Sequence, residues 1–177
     1  MLALEAPQTP MAKQSAGIVL FRKTSASPEV LLVHPGGPFW RNKDLHAWSI
    51  PKGEVGAAES LLDAARREFA EEVGFAPQGD FLPLASVKQA GGKIVHAWAV
   101  EHDFDVSMLH SNTFQGEWPP RSGKLQDFPE VDRAGWFTLE TAKTKAVMGQ
   151  ILFIERLAVV LSGAPAASDG FRPETKP

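Results

Sequence analysis

Three glutamates, Glu68, Glu71 and Glu72, stand at i, i+3 and i+4 just before Gly74, and that spacing constrains this chain more than any other feature of its sequence. On a helix they project from one face. Like charges so spaced repel by roughly 0.2–0.5 kcal/mol per pair. Glu71 and Glu72 also fall in the last turn, where the helix dipole disfavours anions. Local penalties gathered in one place are expected where function, rather than folding, chooses the residues. A hard divalent cation is the simplest remedy for converging carboxylates.

Around the cluster, the spacing predicts a helix from near Ala58, after a Gly53–Gly56 loop, to Gly74, a residue suited to a helix C′ position. Leu61, Leu62, Ala65, Phe69 and Val73 share one apolar stripe that should pack on a core. Glu72 falls between Leu61 and Ala65, at the edge of this stripe. It is therefore half withdrawn from water, where an unpaired charge is costly. Asp63, by contrast, faces outward. Arg67 lies four residues before Glu71 and can hold it by a charge-assisted hydrogen bond.

The full pattern is Gly53, five residues, Glu59, seven residues, then Arg67-Glu68-Phe69-Ala70-Glu71-Glu72-Val73-Gly74-Phe75. It resembles the signature box of the Nudix hydrolase superfamily. Every fixed polar and glycine position matches, and Phe69 and Phe75 fill positions where an aliphatic residue is commoner. At about 6% usage per residue type, such a match arises by accident on the order of once in 10⁸ windows.

The resemblance implies an α/β (α+β) fold, a Nudix-type α/β/α sandwich with a mixed β-sheet between helices. It implies a loop–helix–loop that binds Mg²⁺ or Mn²⁺, and hydrolysis of a pyrophosphate linkage in a nucleoside diphosphate joined to another group. Carried over by position, Glu68, Glu71 and Glu72 are the principal metal ligands and Glu59 a supporting carboxylate. Gly53 permits close approach of backbone to metal, with the Lys52 carbonyl a further ligand, and Arg67 orients the glutamates. Glu71, or a carboxylate outside the box, takes the proton of the attacking water. That choice stays open.

Outside the box, Glu130 precedes Val131-Asp132-Arg133-Ala134-Gly135-Trp136, and similar Pro-Glu turns in Nudix proteins often supply another catalytic carboxylate. Glu117 is a less favoured rival. In the loop from His34 to Lys43, Trp40 and Phe39 can stack on a base, while Arg41 and Lys43 can meet phosphate. An exposed loop with packed aromatics explains the same residues equally well. Arg121 and Lys124 raise the same possibility more faintly, and the Lys52 ammonium can contact a phosphate beside the metal loop. The histidines show no metal-ligand spacing. His96, Trp98 and Trp136 read as core.

The segment Trp48-Ser49-Ile50-Pro51-Lys52-Gly53-Glu54 resembles members that split dinucleoside polyphosphates. Those generally carry a tyrosine beyond the box, and this chain has none. A nucleoside triphosphate or an ADP-ribose type sugar nucleotide therefore remains open as substrate. The ADP-ribose class usually has a proline some way past the box, where this chain carries Ala90. A nucleotide-binding sensor without catalysis would be expected to lose box glutamates, and all are present.

At 177 residues one domain can bury about 70% of its unfolded surface. A net charge of −3 gives no general attraction for nucleic acid or anionic membrane. The absence of cysteine excludes disulfides and thiolate chemistry. No apolar run reaches membrane-spanning length, and the opening residues lack signal-peptide character, so a cytoplasmic location is expected. Residues 1–13 are expected to form a loose arm, 14–161 a single Nudix domain, and 162–177 a disordered tail. Strands are expected at Ser15–Arg22, Glu29–His34, Trp48–Ile50, Phe81–Gln89, Lys93–His102 and Gly135–Leu139, followed by helical character to Leu161. Residues 107–129 lack periodicity. Oligomeric state is unreadable.

Overall fold

The computed structural model describes residues 13–163. Its sheet is built on β1 (Gln14–Arg22), whose interior residues are buried on both faces. β2 (Glu29–Pro35) runs antiparallel beside it, and β3 (Lys52–Glu54) pairs with its first half. The other large strands are β4 (Leu82–Lys88), β5 (Ile94–Glu101) and β8 (Val131–Thr138), in the order β4-β5-β1-β2-β8. β1 and β5 are parallel and the remaining pairs antiparallel, so the sheet is mixed.

Alternation along β1 sends Ile18 and Leu20 to one face and Val19 and Phe21 to the other. The first face receives helix α1 (Leu61–Val73) through Ala64, Ala65, Phe69 and Val73. The second receives α2 (Leu139–Lys145) and α3 (Ile151–Ser162) through Ala142, Phe153, Ile154 and Leu157. This is the expected α/β/α sandwich. Each fully buried Leu or Phe contributes roughly 1.5–3 kcal/mol relative to exposure.

α1 begins later than the periodicity suggested. Ser60 caps it, its Oγ accepting from the Asp63 N–H at 3.1 Å and donating to the Asp63 carboxylate at 2.6 Å. The preceding residues instead fold into a turn in which the Gly56 N–H donates to Glu59 Oε2 at 3.1 Å. The helix ends as expected. Gly74 adopts φ 79°, and its N–H donates to the Ala70 carbonyl at 2.9 Å.

Residues 107–129, read as aperiodic, contain a hairpin of β6 (Thr113–Glu117) and β7 (Leu125–Pro129) that forms its own two-stranded sheet. Most of its residues are exposed. With no core face to bury, it carries no alternation for a sequence reading to find. The expected short strand at Trp48–Ile50 is reduced to isolated bridges, Ser49 to Val33 and Trp48 to Ala146, and the regular strand starts after Pro51.

β8 starts earlier than expected, at Val131, and the single helical stretch toward Leu161 divides into α2 and α3 around a 3₁₀ turn at Met148–Gln150. Of the expected disordered tail, Ser162 instead closes α3 and Gly163 caps it, while 164–177 and 1–12 lie outside the described residues. No helix among the described residues is long and apolar enough to cross a membrane.

Candidate functional site

β3 and α1 carry the acidic cluster, and Gly53 sets how closely they approach. A Cβ added to Gly53 would overlap the Glu68 carboxylate, so only glycine lets that side chain lie against the strand. One residue earlier, the Lys52 N–H donates to Glu72 Oε2 at 3.2 Å. Burial pushes the Glu72 carboxyl up to about 8, against the pull of Lys52 and with the help of Glu68 and Glu130. Burial also lowers the Lys52 ammonium, which Glu72 partly restores.

Arg67 organises the rest. Its guanidinium grips both oxygens of Glu59 at 2.9 Å, donates to Glu68 Oε1 at 2.7 Å and reaches Glu71 Oε2 at 3.3 Å. A further bond, to the Glu54 carbonyl at 3.0 Å, ties it to the strand. The expected Arg67–Glu71 contact exists, but the shorter bonds go to Glu59 and Glu68. Held this way, Glu59 is pulled down to about 2, and Arg67 itself is raised.

Glu130 joins this group from the far end of the hairpin. Burial raises its carboxyl, and the nearby charges of Glu68 and Glu71 raise it further. The turn is fixed through a residue that sequence reasoning missed. The Asn112 N–H donates to the Glu71 carbonyl at 2.9 Å, and the Asn112 carbonyl accepts from the Glu130 N–H at 2.8 Å. Both are main-chain bonds, so no side-chain signal at position 112 could have revealed them. The Gly36 N–H completes the turn by donating to the Glu130 carbonyl at 2.9 Å.

Arg67 thus holds Glu59, Glu68 and Glu71, Lys52 offsets Glu72 and Glu68, and Glu130 adds a further carboxylate beside Glu68 and Glu71. Among the described residues, no set of three carboxylate or imidazole groups is gathered as a ready-made metal cage. The reason is visible in the bonds: Arg67 draws Glu59 and Glu68 toward itself. The donor set is nonetheless all oxygen with excess negative charge, and this suits a hard divalent ion.

Beside the cluster opens a cleft of about 470 Å³ lined by Trp40, Ser49, Lys52, Gln89 and Gln150, among others. Lys52 belongs to both cleft and cluster. Gln150 is 1% exposed; its Oε1 accepts from the Ile50 N–H at 2.8 Å, while its Nε2 has no protein partner. Sequence reasoning missed it too, because a lone glutamine beside a helix start carries no pattern.

Of the loop candidates, Trp40 lines the cleft and Lys43 stacks its ammonium 4.4 Å from the Trp40 ring centre. Arg41 is exposed and is not among the residues that line this cleft. Glu117 spends one oxygen on the Gly123 N–H at 2.6 Å, inside its own hairpin turn, and Arg121 and Lys124 are exposed on that turn. His34, set aside as a ligand, is fully buried between Asp132 Oδ1 and the Lys43 carbonyl, both at 2.8 Å. His96 is half-buried, and Trp136 donates to the Phe104 carbonyl at 3.0 Å from within the packed face.

Comparison with known proteins bears on the family and the fold. The NUDIX domain family model matches residues 11–157. Among solved structures, the fold is similar to an Ap4A hydrolase from C. elegans in a binary complex, with TM-score 0.59 and 20% identity over 84% of this chain and 98% of that one. It is similar to the NUDIX domain of Shewanella oneidensis NrtR complexed with ADP ribose, with TM-score 0.60 and 20% identity over 89% and 94% of the two chains. A mutT/nudix family protein from Listeria innocua gives TM-score 0.58 and 16% identity over 88% and 97%. At these identities the likeness is one of fold.

Proposed function

Because the chain belongs to the NUDIX family of hydrolases, we propose that it splits a pyrophosphate linkage in a nucleoside diphosphate derivative, with Mg²⁺ or Mn²⁺ as its cofactor. One observation carries this reading. Lys52 lines the cleft while its N–H holds Glu72, so a phosphate seated in the cleft meets the acidic cluster directly. The residues that would hold the cation are Glu68, Glu71 and Glu72, supported by Glu59 and the Lys52 carbonyl. When bound, it would neutralise phosphoryl oxygens and acidify a water.

The chain's own groups do the rest. Trp40 offers a face for a nucleobase at the mouth of the cleft, and the Lys52 and Lys43 ammonium groups attract phosphate oxygens. Arg67 keeps Glu59, Glu68 and Glu71 in register and touches no substrate. Water adds to one phosphorus, the bridging P–O bond breaks, and the proton of the water passes to Glu71 or Glu130. Burial, with the charges of Glu68 and Glu71, raises the Glu130 carboxyl above its ordinary value, which makes it the stronger proton acceptor.

Dinucleoside polyphosphates and nucleoside triphosphates are the favoured substrates, with ADP-ribose type sugar nucleotides the alternative. We take residues 14–161 as the working unit and the cytoplasm as its location. The test is a substrate panel on the full chain with Mg²⁺ and with Mn²⁺, with products identified in labelled water. Glu71→Gln is expected to lower turnover by at least about 10²-fold. Release of neither phosphate nor nucleotide from any substrate would leave a nucleotide sensor as the surviving reading.

A further inference from the structure

A second cavity, of about 280 Å³, lies between residues 36–40 and the β6–β7 hairpin, and Trp40 walls both it and the larger cleft. Phe39, Phe114 and Phe128 supply the remaining aromatic lining. Phe39 is 64% exposed and Phe114 40%. Phe39 meets Trp118 edge-on and Phe114 tilts against Phe128, and the surface these rings keep open around the hollow forms a platform for a further ring.

Missing side chains keep the hollow empty. A Cβ at Gly116 would stand 3.3 Å from the Phe128 ring and 3.4 Å from the Phe114 ring, and one at Gly37 would stand 3.4 Å from Phe114. Both ends of the hairpin spring from the acidic cluster, through Asn112 on Glu71 and through Glu130. Phe114 and Phe128 each lie two residues along a strand from those anchors, about 7 Å of extended chain. Gly36 presses the other wall onto the same turn, since a Cβ there would overlap the Pro129 carbonyl.

A molecule whose pyrophosphate lies at the cluster can therefore place one aromatic group in the cleft and another here. The cavity is slightly below the usual ligand-pocket range of roughly 300–1,000 Å³, a size for one ring system rather than a whole nucleotide.

From this geometry we infer that the hairpin cavity is a second nucleobase subsite, which selects two-headed dinucleoside polyphosphates over nucleoside triphosphates. The inference rests on the pyrophosphohydrolase reading above and narrows its substrate. Stacking on Phe114 and Phe128 holds the far base, while the near base meets Trp40 in the cleft. Because the hairpin pairs with no strand of the main sheet, it can shape selectivity without bearing on the core.

Steady-state kinetics on the full chain, with diadenosine tetraphosphate and ATP as the two probes, tests it. Phe114→Ala removes a stacking face, and Gly116→Val fills the hollow at a strand position without positive φ. Each is expected to lower the ratio of kcat/KM for the dinucleotide to that for ATP by roughly 10- to 100-fold, the size of one lost stacking contact. Melting temperatures matching the wild type would establish that the hairpin has not unfolded the domain.

An unchanged ratio in both variants, or a wild type that cleaves ATP and ignores the dinucleotide, overturns the subsite while leaving the hydrolase reading intact. A wild type inactive on both probes and on the wider panel removes both. Binding of a protein to this face without any change in the ratio also counts against the subsite.

Discussion

Glu68 lies against Gly53 so closely that a single methyl group on the glycine would occupy the space of its carboxylate. Gly53→Ala should therefore displace Glu68, and with it the Arg67 fork that holds Glu59 and Glu71. We expect a loss of at least about tenfold in Mn²⁺ affinity, and a comparable loss in kcat/KM, with little change in melting temperature. Isothermal titration and kinetics on the same preparation check this. Wild-type metal affinity in the variant would show that the close approach is incidental.

Arg67→Lys keeps the charge and loses the fork. One ammonium cannot grip both oxygens of Glu59 while reaching Glu68 and Glu71. Activity should fall by about 10- to 100-fold. A merely structural arginine would not also move a proton. Here Glu59 should return from about 2 toward the ordinary carboxylate range, read by NMR titration of the side chain.

The buried Glu72 makes the effect of metal on stability depend on pH. Its carboxyl sits at about 8 in the fold because burial disfavours the anion. The folded chain thus holds this proton more tightly than the unfolded chain does. Without a cation, stability falls as pH rises from the ordinary carboxylate value through about 8. A dication replaces the proton, so its stabilisation should grow across the same window. We expect saturating Mg²⁺ to raise Tm by at least about 3 °C more at pH 8.5 than at pH 6, on the scale of about 1 kcal/mol for a chain this size. Glu72→Gln should abolish the difference. Equal increments at both pH values in the wild type would refute the assignment.

Phe69 has no solvent exposure and joins α1 to the sheet next to the glutamates it positions. Phe69→Ala should cost about 3–5 kcal/mol. At roughly 2–4 °C per kcal/mol, Tm should drop by about 6–20 °C in a thermal melt. A drop under about 3 °C would mean that the helix is held by something other than this face.

How far the sequence could be read follows from which forces leave a pattern. The core stripe of α1 was legible because Ala65, Phe69 and Val73 repeat at helical spacing, and the glutamates because their charges violate it. Strands β1, β2 and β5 announced themselves by continuous apolar residues. The hairpin did not, since its strands bury almost nothing. The start of α1 was misjudged because Ser60 with Asp63 outcompetes the helix propensity of Ala57 and Ala58. Gln150 and Asn112 escaped notice for a shared reason: each matters through partners far away in sequence, Ile50 in one case and Glu71 with Glu130 in the other.

The two bonds through Asn112 have a bearing on how relatives of this chain can diverge. They use peptide atoms alone, so nearly any amino acid could stand at that position and leave the clasp between helix end and acidic turn closed. Substitution would scarcely be felt there. A change in the number of residues between the helix and the turn would slip the clasp out of alignment, so drift at this corner should be tolerant of spelling and strict about length.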